Sequence, residues 1–415
     1  MSDQFAWFVG IDWGSQTHVL CLLDAAGELC GTRSVAHTAD AVHEAIQWVL
    51  QQTAAAPAAI ALGIETPRGA LVDTFLEYGF PMFAVNPKQL DRFRDRFTVS
   101  GAKDDRRDAR AVADGLRTDR RAFRRIHADD ARVIQLREWS RIVEELQDEE
   151  QRLANRLRDQ LYRVNAAWLT LNPAADDPWL WTILHETPHP GAWATLPRRR
   201  ITPALRAHRI RRLTPDDVIA VLRQPRLHVA AGVADAVEAR IASLIPQLRL
   251  VHDQRLMGER RIDRLLESLE TDPLEPESRE HRDVQILRSL PGVGRMVAAT
   301  MLTEATGPLA DRDYGTLRAQ AGIAPVTKRS GKRALFVHMR YACKRRLREA
   351  LYHWSRTSIQ HDVAARAYYD ALRARGRGHA RALRSVGDRW LRILIAMLRT
   401  RSLYDASRFD PAAAI

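Results

Sequence analysis

Phe5-Ala-Trp-Phe-Val-Gly-Ile-Asp12, His18-Val-Leu-Cys-Leu-Leu23 and Leu29-Cys-Gly-Thr-Arg-Ser-Val35 are three apolar, aromatic and β-branched runs separated by a few residues, with Ala25-Ala-Gly-Glu28 as the second break. Runs of this length and composition, bounded by turn residues, predict three strands joined by short hairpins. Downstream the pattern predicts a helix over about Ala39 to Gln52 and an apolar strand Ala58-Ala-Ile-Ala-Leu-Gly-Ile64 ending at Glu65. A helix from Gly69, a strand Pro81-Met-Phe-Ala-Val85 and further helical sequence follow.

Three antiparallel strands followed by β-α-β-α is the order of the ribonuclease H-like fold. That core serves nucleases, resolvases, many transposases and actin-like kinases, so it does not by itself fix a function. Within it, Asp12 closes the first strand and Glu65 the fourth, while Asp105 and Asp108 lie three apart on predicted helix and share a face. Such carboxylates are hard ligands for Mg²⁺ or Mn²⁺. Two ions held this way can stabilise the attacking and leaving oxygens of a phosphoryl transfer. Asp104 competes with Asp105 on spacing alone, because 104 and 108 also share a helical face.

The remaining chain divides by pattern. Residues 1–125 form the expected α/β catalytic domain. Residues 126–280 form a helical coiled-coil or oligomerisation region with an insert, and residues 281–415 a mostly helical basic domain. From Ala131 to Trp168 the apolar positions Trp139, Val143, Leu146, Leu153, Leu157, Leu161 and Val164 recur at three- and four-residue steps, with Glu150 interrupting the seam. A second repeat runs through Val233, Val237, Ile241, Leu244, Leu248 and Val251 to Leu269. An antiparallel hairpin within one chain and a dimerising arm both satisfy this pattern.

Charge is concentrated at one end. The 415-residue chain carries a formal net charge of +13, yet Lys328 to Arg401 holds 20 Lys and Arg against four acids, a local +16. A polyanion is the expected partner of that region, with Lys328, Arg329, Lys332, Arg333, Lys344, Arg345 and Arg346 as its expected nucleic-acid contacts. Hydrophobic residues make up 46% of the chain, enough to build cores and to exclude a disordered class. The apolar run Ile393–Leu398 is far too short to span a bilayer, and the first residues lack a secretory pattern. No membrane association and a cytoplasmic location in a bacterial cell are therefore expected, in keeping with only three cysteines at spacings that suit neither a disulfide framework nor zinc.

Two loops in the basic region invite chemistry. Leu290-Pro-Gly-Val-Gly294 precedes apolar helix, and a Gly-x-Gly turn between helices lets the backbone of Gly292 and Gly294 approach a phosphate, as in helix-hairpin-helix DNA binding. A plain Pro-Gly turn has the same sequence. Gly322-Ile-Ala-Pro leads to Ser330, flanked by Lys328, Arg329, Lys332 and Arg333. A serine so placed can attack a phosphodiester while the cations offset developing charge, although a solvated turn serine satisfies the same residues. Tyr341, beside Lys344, Arg345, Arg346 and Arg348, is the second candidate nucleophile.

In combination these motifs resemble the DEDD-type insertion-sequence transposases of the one-hundred-and-ten family, recombinases guided by a bridge RNA. The resemblance runs through Gly10-Ile-Asp-Trp-Gly14, Thr17-His-Val19, Gly63-Ile-Glu65, Asn86-Pro87, Lys103-Asp-Asp-Arg-Arg-Asp-Ala109, Leu290-Pro-Gly-Val-Gly294, Gly322-Ile-Ala-Pro325 and Arg329-Ser-Gly331. It implies that Asp12, Glu65, Asp105 and Asp108 hold Mg²⁺, that Ser330 forms a covalent phosphoserine link, and that a non-coding bridge RNA pairs with donor and target double-stranded DNA. It also implies a homo-oligomer, dimer or tetramer, in which Ser330 and the carboxylates can come from different protomers. Trp13 departs from the small or β-branched residue that often follows the first aspartate in the family. The alternative is a metal-dependent DNA nuclease or Holliday-junction resolvase, with carboxylate-bound metal activating water and Ser330 as a turn residue. Gly10-Ile-Asp-Trp-Gly-Ser15 also fits an actin-like kinase, against which the basic region and the lack of a second phosphate loop both speak.

Overall fold

The computed structural model describes residues 5–96, 104–126, 130–224, 228–271, 282–328 and 336–408. The chain divides into two units, Met1–Asp129 and Asp130–Ile415. The first holds a six-stranded mixed sheet and the second is mostly helical.

In the first unit, β1 (Trp7–Asp12), β2 (Thr17–Asp24) and β3 (Leu29–Ala36) pair antiparallel. After α1 (Ala39–Thr53), β4 (Ile60–Ile64) joins β1 in parallel. After α2 (Ala70–Glu77), β5 (Met82–Ala84) joins β4 in the same sense. Then come α3 (Pro87–Arg94), α4 (Asp105–Thr118) and an edge strand β6 (Arg124–Ile126) antiparallel to β5, giving the order β3-β2-β1-β4-β5-β6. The period-two alternation of the strands separates two faces. Val9, Ile11, Leu20, Leu22, Leu62 and Ile64 form one core with α1 and α2. Phe8, Ala61, Val19 and Cys21 pack on the other side against α3 and α4.

Two glycines set how closely α4 lies on that second face. Gly10 and Gly63 are paired in register on β1 and β4. A β-carbon at Gly10 would stand 1.9 Å from the Ala109 carbonyl oxygen, and one at Gly63 2.7 Å from Val112 Cγ1. The helix backbone therefore rests on the strand backbone.

The second unit is built on two long helices, α5 (Ala131–Asn165) and α10 (Ala231–Glu270). They pack antiparallel, with the Arg132 guanidinium donating to the Ser268 carbonyl, Gly258 against Val143, and Glu150 beside His252 and Arg255. Each heptad seam thus closes on the other helix of the same chain. Between them α6 (Trp168–Leu171), α7 (Pro178–Glu186), α8 (Arg198–Ala207) and α9 (Pro215–Leu222) form the insert. Its core contains Trp168, Trp179, Trp181 and Trp193, all fully buried.

The interruption at Glu150 is a buried polar network. Its carboxylate accepts from His252 Nδ1 at 2.9 Å and from Arg255 Nε at 2.5 Å, and Arg255 also pairs with Glu259. A buried carboxylate is tolerated because both oxygens are satisfied by cationic or polar donors.

Beyond the hairpin lie α11 (Asp283–Ser289), α12 (Arg295–Glu304), α13 (Thr306–Ala310), α14 (Tyr314–Gln320), a two-stranded hairpin of β7 (Val326–Lys328) and β8 (Phe336–His338), α15 (Arg345–His361), α16 (Val363–Ala374) and α17 (His379–Thr400). Their core includes Leu136, Val143, Ile262, Leu265 and Leu266 from the long helices. The boundary expected near residue 280 therefore separates no cores: the hairpin's root is buried with the C-terminal helices, and its tip with the insert.

Candidate active site

Asp12 ends β1 and Glu65 follows directly on β4; because Ile11 pairs with Ile64, the two acids leave the sheet side by side. The alternation that puts Gly10 and Gly63 under α4 carries Asp12 and Glu65 to the same face. Both are half-buried. α4 runs antiparallel to β1, with Ala109 over Gly10 and Arg117 reaching the Ala25 carbonyl at the sheet's far end, so its first turn lies at the acids' edge. Asp104 is outside the helix as its N-cap, accepting from the Arg106 backbone N–H at 3.2 Å, whereas Asp105 and Asp108 are inside the first turn. Capping gives Asp104 a structural task of its own at the start of α4.

Asp105 is exposed and Asp108 is 2% exposed. Asp108 Oδ1 stands 2.6 Å from Arg94 Nε, an ion pair too poorly aligned to be a hydrogen bond, and its buried Oδ2 has no hydrogen-bond partner among the described residues. Among those residues no three acids, histidines or cysteines are drawn together tightly enough to cage a metal ion. The candidate residues nevertheless suit a hard divalent cation: all four side chains are carboxylates, they share one edge and one face, and one buried oxygen lacks a partner among the described residues. Arg94, which sequence alone did not single out, places a positive charge against Asp108.

In the C-terminal helices the basic candidates divide by role. Gly292, at φ 82°, packs on α15, where a β-carbon would stand 2.6 Å from the Ser358 backbone nitrogen; Gly294 is exposed at the N-cap of α12. The glycine at 292 is thus required by packing as well as by its backbone angle. Arg346 was expected on a phosphate, but its guanidinium is half-buried and committed to Glu144 at 2.8 Å, Glu304 at 2.9 Å and Ser140 Oγ at 3.0 Å. Lys344 donates to the Glu304 carbonyl. Burial opposes ionisation of Glu304, yet Lys344, Arg346 and Arg141 prevail and hold its carboxyl below the ordinary range. Arg345 is exposed and pairs with Glu349 at 2.8 Å. Lys328 ends β7, and Arg329, Ser330, Lys332 and Arg333 lie outside the described residues, between β7 and β8. Tyr341 is 80% exposed.

Comparison with known proteins joins the two units. Residues 9–166 match the DEDD-type family model described as a transposase of IS110 elements, and residues 284–370 match the Transposase IS116/IS110/IS902 family. An insertion element IS110 protein of 43.6 kDa from Streptomyces coelicolor is 30% identical over 309 residues, 74% of this chain and 73% of that one. The chain belongs to the IS110 family of transposases. The mini-circle putative transposase for IS117 of the same organism is 29% identical over 415 residues, covering 98% of this chain and 97% of that one. The putative transposase y4uE of Sinorhizobium fredii is 43% identical over 213 residues, 51% of this chain and 59% of that one. Membership makes the chain a DNA transposase, and the DEDD assignment carries divalent-metal dependence with it. Among the described residues no helix is long and apolar enough to cross a membrane.

In this transposase the turn after Asp12 is tied to a histidine pair that sequence did not single out. His18, fully buried on β2, accepts the Gly14 backbone N–H on Nδ1 at 3.4 Å, so its Nε2 carries the proton and donates to His37 Nδ1 at 2.8 Å. Trp13, the departure from the family pattern, has its ring 6.2 Å from the His18 ring. Burial first, and the neighbouring His37 second, push the His18 pKa below its ordinary 6.5. A folded-state pKa below the unfolded one gives stability that is complete above the unfolded value and lost as pH falls through it. Denaturant titrations of the wild type should therefore show stability falling as the pH drops below about 6.5. His18→Asn should flatten part of that slope; an identical slope in both proteins would rule out His18 as its source.

Proposed function

We propose that this transposase is a ribonuclease H-like, RNA-guided recombinase that cuts and rejoins donor and target DNA through Ser330. The observation that carries this reading is the convergence of Asp12, Glu65 and the first turn of α4 on one edge and one face of the sheet, over the Gly10–Gly63 pair. Asp12, Glu65, Asp105 and Asp108 hold Mg²⁺ or Mn²⁺, with Arg94 balancing the charge on Asp108. When bound, the metal supplies charge neutralisation at the scissile phosphate.

The chain's own residues do the rest. Ser330 Oγ forms a bond to phosphorus as the strand's P–O bond breaks; its proton passes to the departing oxygen, which becomes a free hydroxyl. The phosphodiester energy is retained in the phosphoserine, so rejoining needs no nucleotide cofactor. Lys328, Arg329, Lys332 and Arg333 flank the serine and offset charge on the phosphate. A bridge RNA supplies sequence choice by base pairing, the logic of guided nucleases. Exposed Gly294 and Arg345 are available to nucleic-acid backbones, and a homo-oligomer brings donor and target together.

The test uses the full chain with RNA transcribed from its element's flank and matching DNA, resolved on a denaturing gel. A covalent protein–DNA adduct that requires RNA and Mg²⁺, and whose digestion yields a nucleotide phosphate on Ser330 by mass spectrometry, is expected. Metal-dependent cutting with no adduct would make this a hydrolytic nuclease of the resolvase type.

A further inference from the structure

At the two roots of the β7–β8 hairpin the second unit holds a cleft of about 220 Å³. Gly322 and Ile323 line it just before β7, Met339 lines it just after β8, and α15 and α17 close it with Leu351 and Leu383. Its interior is almost wholly apolar, and its volume lies below the roughly 300–1,000 Å³ of sites that enclose a drug-sized ligand. One planar heterocycle fits; a base pair does not.

Three features narrow the occupant. Tyr352, 42% exposed, lines the cleft and offers a ring for stacking. Arg348 and Arg384 line it as well, within the segment whose net charge is +16, so the strand that supplies the occupant is anionic. The Nη2 of Arg348 is held by the Arg340 and Tyr341 carbonyls, which fixes its guanidinium at the cleft wall.

We infer that this cleft receives one nucleobase, unstacked from the DNA duplex beside the cleavage point. Tyr352 stacks on its face, and Arg384 lies along the phosphate that follows it. Extruding a base costs stacking and pairing, which apolar walls and stacking on an aromatic ring inside such a pocket offset. Extrusion also frees the backbone of the flanking nucleotide from the duplex, next to the hairpin that carries Ser330. The inference rests on the proposed serine chemistry only for calling that hairpin catalytic.

The experiment places 2-aminopurine at successive positions of a duplex spanning the element junction and follows its fluorescence on complex formation with full-length protein and RNA, binding being verified by mobility shift. One position is expected to brighten several-fold as its base leaves the stack. Ala380→Trp, at an exposed position lining the cleft, should plug it and return that signal to the level of free duplex while binding persists. If that variant loses binding, Glu349→Trp, at another exposed position lining the cleft, carries the same comparison. No brightening at any position, or brightening unchanged in these variants, would overturn the inference. The readout is independent of cleavage: an extruded base without a protein–DNA adduct keeps the pocket and removes the serine mechanism, and an adduct without an extruded base does the reverse.

Discussion

Asp12→Asn is expected to lower strand cleavage by about 10³-fold or more, a loss comparable to removing a preorganised group that stabilises transition-state charge. Asn keeps the size and hydrogen-bonding capacity of the side chain and removes only its charge and its strength as a ligand. The effect should exceed the roughly 10–100-fold typical of a residue that merely supports a metal ligand. Asp12 sits at the exit of β1, half-buried rather than inside either core of the sheet, so the melting temperature should move by only a few degrees. Gel assays of cleavage beside thermal unfolding check both halves. Cleavage within a factor of a few of wild type would mean that the strand-end acids hold no reacting group, and the chain would then act as a nucleic-acid scaffold.

Gly10→Ala is expected to destabilise the first unit by about 3 kcal/mol or more, the upper end of overpacking penalties. The added carbon would stand 1.9 Å from the Ala109 carbonyl oxygen and 2.5 Å from the Ala113 nitrogen, both main-chain atoms of α4 that no rotamer change can move. Relief requires lifting the helix from the sheet, which carries Asp105 and Asp108 away from Asp12 and Glu65. Stability and cleavage should therefore fall together, with a melting shift on the order of 10 °C for a unit of this size. Gly294→Ala is the control, because a β-carbon there meets nothing within 4 Å. It should stay within about 0.5 kcal/mol of wild type. Equal effects of the two substitutions would deny the close approach of α4 its role.

Much of the first unit was legible because its signals are local. Continuous apolar, β-branched runs and short turns marked the strands, and Asp12 and Glu65 stand where the runs break off. The edge strand β6 was not legible: Arg124-Arg125-Ile126 carries no apolar alternation, and it is a strand only because β5 offers a free edge to pair with. The same reason hid Arg94, whose pairing with Asp108 depends on α3 meeting α4. Charge counts located the basic region but not the task of each residue. Arg345 and Arg346 are neighbours in sequence, yet one faces solvent and the other clamps α5 to α12 through Glu144 and Glu304. The heptads predicted a seam without naming the partner, since an identical helix and a second helix of the same chain present the same stripe.

The buried carboxylate in that seam acts as a key in a lock. Two heptad-patterned helices can in principle slide past each other by one repeat and still mate apolar faces. A slip of α10 on α5 would separate Glu150 from His252 and Arg255, leaving buried charge unpaired at a cost of roughly 3–5 kcal/mol. One end of the pair is anchored in the C-terminal core and the other in the tryptophan core. The hairpin is therefore a strut of fixed length, and a displacement imposed at its tip is delivered to its root rather than absorbed by slippage along the way.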